Sequence, residues 1–121
     1  MEYNVHSIRP FIGARDFEES RDFYRELGFT ETSLGPMMSL FQNKKVGFYL
    51  QDAYVQDWVD NTMIFLEIED LDKVYRDVLA LNLKARYPSV ALIPIREENW
   101  GREFFIHDPS GNLWHYGAFK L

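Results

Sequence analysis

The chain has no cysteine, so a disulfide framework, a thiol nucleophile and a thiolate metal site are all excluded. No apolar run approaches membrane-spanning length, and the opening MEYNVHSIRP lacks the apolar stretch of a secretory signal. A soluble cytoplasmic protein with no membrane partner is the expectation. Positive charge is in short supply: 13 Lys and Arg stand against 19 Asp and Glu, for a formal net charge of −6. Neutralising phosphates takes clustered Lys and Arg, and here they are scattered, so nucleic acid is excluded as a partner and a cationic ligand is favoured. HExxH, a Walker-type glycine loop and a GxSxG elbow are all absent as well.

What the chain does have is aromatic surface. Its 121 residues suit one domain with a real core, yet they include 10 Phe, 7 Tyr and 3 Trp, more rings than a small core needs. Some are expected at a surface or an interface. The most informative stretch is WGREFFIHDPSGNLWHY, Trp100 to Tyr116. Asp108, Pro109, Ser110 and Gly111 suit a type I turn, because Pro presets φ at the second position while Asp and Gly suit the ends. Alternation then gives a hairpin with Phe104, Ile106, Trp114, Tyr116 and Ala118 on one face. Glu103, Phe105, His107, Leu113 and His115 share the other, a mixed face suited to a cleft.

The sequence repeats. At an offset of 54, FIGARDFEESRDFYRELGF aligns with FLEIEDLDKVYRDVLALNL. Each copy runs from a short strand to an acidic residue, Asp16 or Asp70, fit to cap a helix of about eleven residues. Gly28 and Asn82 then occupy positions where a helix end favours a left-handed residue. Strand-like pieces follow at about 29–34, 38–42 and 45–51, and again at about 91–97, 102–107 and 112–118. The fold class is therefore α+β, with two βαβββ modules at about 5–53 and 61–119 forming curved mixed sheets with helices outside. Ile64, Leu66 and Ile68 would lie under the second helix, leaving Met63, Phe65 and Glu67 on the opposite face, with Arg9, Phe11 and Gly13 equivalent in the first copy. Periodicity leaves open whether those faces pack on each other or line a concavity.

Paired βαβββ modules, the helix start DFEESRDFYRELGF and the turn DPSGN resemble the vicinal oxygen chelate superfamily of glyoxalases, extradiol dioxygenases and bleomycin resistance proteins. ARDFEESRDFYRELGF, DNTMIFLEIEDLDKVYRDV and ENWGREFFIHDPSGNLWHY are most similar to the resistance proteins, and WGREF at Trp100 to Phe104 is the most specific fragment. Enzymes of the superfamily hold a divalent metal with ligands from the first and last strands of each module. Here the resemblance places Arg9, Met63, His115 and either Tyr49 or Gln51 at those positions. A guanidinium cannot coordinate and a thioether suits such ions poorly, so neither a metal nor any other cofactor is expected.

The resemblance implies a homodimer that sequesters a bulky cationic, planar-tailed drug of the bleomycin type in clefts between subunits, without chemistry. Trp100 matches the tryptophan on which that ligand packs; a loop anchor is the alternative role for an indole followed by Gly101. Phe65 matches an aromatic wall of the cleft and Gln51 a polar one, with Met38, Met63, Gly101 and His115 completing the expected lining. His107 and His115 share a hairpin face, either as a proton-transfer pair or as two polar cavity residues. Pro10 matches a proline near the start of a first strand that subunits can exchange. The rival readings are a metal-dependent enzyme of the same superfamily and a paralogue binding an unrelated metabolite.

Overall fold

The computed structural model describes residues 1–120 and orders them as two similar units. The first contains β1 (Phe11–Gly13), α1 (Phe17–Glu26), β2 (Thr30–Ser33), β3 (Met38–Asn43) and β4 (Val46–Gln51). The second contains β5 (Met63–Glu67), α3 (Leu71–Ala80), β6 (Ala91–Glu97), β7 (Gly101–His107) and β8 (Leu113–Phe119). Two short helices that hydrophobic periodicity did not reveal, α2 (Gln56–Asp60) and α4 (Leu83–Arg86), fill the connections. The sheets have equivalent orders, β1-β4-β3-β2 and β5-β8-β7-β6. In each, the first strand runs parallel to the last and the other pairs are antiparallel.

Local chemistry sets the helix ends. The Asp16 carboxylate accepts from the Glu19 backbone N–H at 3.1 Å and Asp70 from Lys73 at 3.1 Å, each satisfying a donor that the first turn leaves free. After the helices the chain turns through left-handed residues, Gly28 at φ 108° and Asn82 at φ 49°. In β6 a register shift between Ile93 and Arg96 accommodates Pro94, which has no N–H to donate. An edge strand tolerates it there.

One aromatic core joins both units. Tyr24 is fully buried and its ring meets Phe41 and Phe48 of the first sheet and Trp114 of the second. Beneath it, Asp108 Oδ1 accepts from the backbone N–H groups of Ser110, Gly111 and Asn112 at 2.8–2.9 Å, and the Gly111 N–H also closes the turn onto the Asp108 carbonyl at 3.0 Å. Asn112 Nδ2 donates to Asp108 Oδ2 and to the Gly13 carbonyl. The turn is thereby tied to the first strand of the other unit. Burial pushes the Asp108 carboxyl up from its ordinary value, against the pull of Tyr24 and Asn112. Burial, with the Asp108 charge, also pushes the Tyr24 phenol well up, so Tyr24 keeps the proton it donates.

Candidate functional site

Alternation decides which side chains are available. With Ile64, Leu66, Phe104, Ile106, Trp114 and Tyr116 turned to the core, the same strands place Met63, Phe65, Glu103, Phe105, Leu113 and His115 on the face of the second sheet away from it. No helix among the described residues covers that face, and Met63, Phe65 and Phe119 remain 67, 41 and 50 % exposed. Exposed apolar area of this kind marks a ligand or partner surface.

Its centre is a ring cluster. Phe65 lies 5.7 Å edge-on from Trp100 and 5.6 Å from Phe119, and Trp100 lies 5.3 Å from Phe119. Gly117 makes room for it: a Cβ at that position would come within 2.5 Å of Phe65 Cζ. His115 pairs in register with Phe65 and Phe105, stacks at 6.2 Å from the first ring and meets the second edge-on at 4.9 Å. Its Nδ1 sits 2.8 Å from Glu103 Oε1, and Glu103 is nearly fully buried. Gly101 contributes no surface. A Cβ there would meet the Ala118 carbonyl oxygen at 2.1 Å, so Gly101 permits the close strand approach that follows Trp100.

The other expected lining residues lie elsewhere. Met38 and Gln51 face each other across β3 and β4. Gln51 lines a cavity of about 210 Å³ with Phe11, Trp58 and Thr62. Trp58, 74 % exposed on α2, was not among the residues expected at the site; its only sequence signal is an indole in a polar connection. No ring contact or side-chain hydrogen bond among the described residues joins the Met38 and Gln51 half to the Trp100, Phe65 and His115 half. Two larger cavities of about 370 and 690 Å³ open between the units and share Phe29, Lys45, Val46, Phe65 and Leu66, so Phe65 reaches both, while neither is lined by Trp100 or His115.

The register also decides between the two residues that the resemblance leaves open on the last strand of the first unit. Phe11 pairs with Tyr49 as Phe65 pairs with His115, so Tyr49, not Gln51, is the counterpart of His115. Arg9 donates to the Tyr49 hydroxyl at 3.2 Å. A guanidinium, a phenol, a thioether and one imidazole do not fit a divalent cation, and no cluster of three or more His, Asp or Glu suited to one occurs among the described residues.

The family model for the Glyoxalase/Bleomycin resistance protein/Dioxygenase superfamily matches residues 5–116. The chain belongs to that superfamily. Among solved structures it is similar to a bleomycin-binding protein from Streptomyces verticillus complexed with copper(II)-bleomycin, at 23 % identity and TM-score 0.82, covering 98 % of this chain and 100 % of that one. The bleomycin resistance determinant encoded on transposon Tn5 is similar at 20 % identity and TM-score 0.75, covering 97 % and 100 %. Lactoylglutathione lyase from Agrobacterium tumefaciens follows at 17 % and 0.72, covering 96 % of each chain. No curated protein matches the sequence significantly. At these identities the likeness establishes the fold, which non-enzymatic binders and enzymes share. No helix among the described residues is long and apolar enough to cross a membrane.

Proposed function

We propose that this chain is a binding protein of the bleomycin-resistance type, which sequesters a bulky, cationic, planar-tailed small molecule without transforming it. The observation that carries this reading is the uncovered Phe65, Trp100 and Phe119 cluster, standing over His115 where an enzyme of the fold needs metal ligands. Indole and phenyl faces suit a flat heteroaromatic tail, and a net charge of −6 favours a cation. The bleomycin complexes among the structural neighbours support this ligand class.

The cleft is completed by a second copy. Met38, Gln51 and Trp58 form one wall and Trp100, Phe65 and His115 the other, and a single chain leaves the two apart. An apolar arm extends before β1, with Tyr3, Val5 and Ile8 at 75, 68 and 94 % exposure, more than a lone soluble chain ordinarily leaves in water. In the dimer this arm packs on the partner. A cytoplasmic location follows from the sequestering role.

Titrating bleomycin into the purified protein tests the reading by tryptophan fluorescence and calorimetry. Quenching with saturable heat is expected. If saturating drug changes neither signal, the resistance-type reading is abandoned in favour of an unrelated metabolite. Stoichiometric divalent metal retained through purification and lost in His115→Ala would instead overturn the metal-free binder reading.

A further inference from the structure

Glu103 is 7 % exposed, and its one hydrogen bond among the described residues is to His115. An ionised carboxylate only accepts, so the proton between Glu103 Oε1 and His115 Nδ1 resides on the histidine. Neutral imidazole then carries no hydrogen at Nε2. That nitrogen has no protein partner among the described residues, while the His115 side chain is 22 % exposed and stacks on Phe65 of the ring cluster.

We propose that Glu103 is the positioning residue of this site, holding His115 in the Nδ1–H form so that Nε2 presents a lone pair to the ligand. This deepens the binding reading above and rests on it. The preferred ligand carries an N–H or O–H donor, such as an ammonium or an amide, beside the flat group that meets Phe65 and Trp100. Ligands offering only acceptors at that point are discriminated against, because an acceptor facing an acceptor leaves both unpaired.

The surroundings preserve this arrangement. Arg96, the cross-strand neighbour of Glu103 on β6, is engaged elsewhere: its guanidinium lies 5.1 Å from the Phe105 ring centre and donates to Glu98. The other titratable groups sharing this face are Glu67 on β5 and His107 on β7. Phe65 packs over Gly117, the register partner of Glu103.

Nitrogen-15 NMR of ligand-free protein tests the tautomer directly. The Nδ1–H form is expected in the wild type. In Glu103→Gln, whose amide donates to Nδ1, the Nε2–H form is expected. Bleomycin should then bind Glu103→Gln about tenfold more weakly or worse. His115→Asn gives a second reading, since its amide still donates to Glu103 but supplies nothing at Nε2; it should fold normally and lose the same affinity. An Nε2–H tautomer in the wild type, or equal bleomycin affinity in all three proteins, overturns the proposal. If the wild type does not bind bleomycin, the ligand reading fails, and the tautomers of wild type and Glu103→Gln alone decide the role of Glu103.

Discussion

The Tyr24 hydroxyl donates to Asp108 Oδ2 at 2.5 Å and accepts from Trp114 Nε1 at 2.9 Å, joining the first helix of one unit to the closing turn and strand of the other. Both residues are fully buried. In Tyr24→Phe the Trp114 donor and one Asp108 acceptor site lose their partner together, which costs about 2–3 kcal/mol. Urea unfolding should show a lower midpoint with an unchanged slope. A variant as stable as wild type would show that the two units do not depend on this link.

Trp100 is a separable case, because its indole rests on Phe65 and Phe119 at the surface and does not enter the shared core. Trp100→Ala should leave thermal unfolding within a few degrees of wild type. It should weaken bleomycin binding about tenfold to a hundredfold, the loss of a stacking platform. Calorimetry on both proteins is the measurement. A large fall in melting temperature with unchanged affinity would identify Trp100 as a loop anchor.

Two glycines distinguish backbone need from ligand need. Gly101→Ala drives a Cβ into the Ala118 carbonyl, which cannot yield without separating β7 from β8, so a loss of about 2 kcal/mol or more is expected. Gly117→Ala meets only the rim of the Phe65 ring. That ring can swing aside, so stability should hold better than in Gly101→Ala while bleomycin affinity falls. Paired unfolding and binding curves check the order.

Glu31 ties α1 to the first sheet, accepting from Arg21 Nε at 2.6 Å, from Ser39 Oγ at 2.6 Å and from Arg25. Burial alone would raise its carboxyl, but the Arg21 and Ser39 hydrogen bonds, the Arg21 charge and Arg25 outweigh it and hold the group below its ordinary 4.5. Folding thus lowers proton affinity here, so the stabilisation is present above the ordinary value and is lost as pH falls through the lowered one. Glu31→Gln should cost about 1–2 kcal/mol at neutral pH. In urea unfolding the gap between the two proteins should narrow as pH falls below the ordinary 4.5; a gap of constant size would contradict this.

The dimer can be weighed directly. Sedimentation equilibrium should give twice the chain mass, and removal of residues 1–8 should shift the equilibrium towards monomer while weakening bleomycin binding. A monomer that binds drug as tightly as the intact protein would contradict the shared cleft.

Much of the fold was legible because the signals were local. A carboxylate at Asp16 or Asp70 caps the helix it precedes, Gly28 and Asn82 reverse direction at the helix ends, and alternation separates Trp114 from His115 without knowledge of any partner strand. The repeat then multiplied each signal by two. Pairing decided the rest. Tyr49 and Gln51 lie on one face, so only the parallel register of β1 with β4 identifies Tyr49 as the counterpart of His115. Trp58 rides on a helix too short for periodicity to register. Alternation puts Glu103 on the same hairpin face as His115, but only the β7–β8 register brings the two side chains into contact. The residues expected to line one cleft are divided between two sheets, because a face is set by nearest-neighbour alternation whereas a cleft depends on which surfaces long-range packing brings together. The faces that carry Trp100 and His115 were therefore legible in the chain alone; the contact of His115 with Glu103 needed the folded sheet.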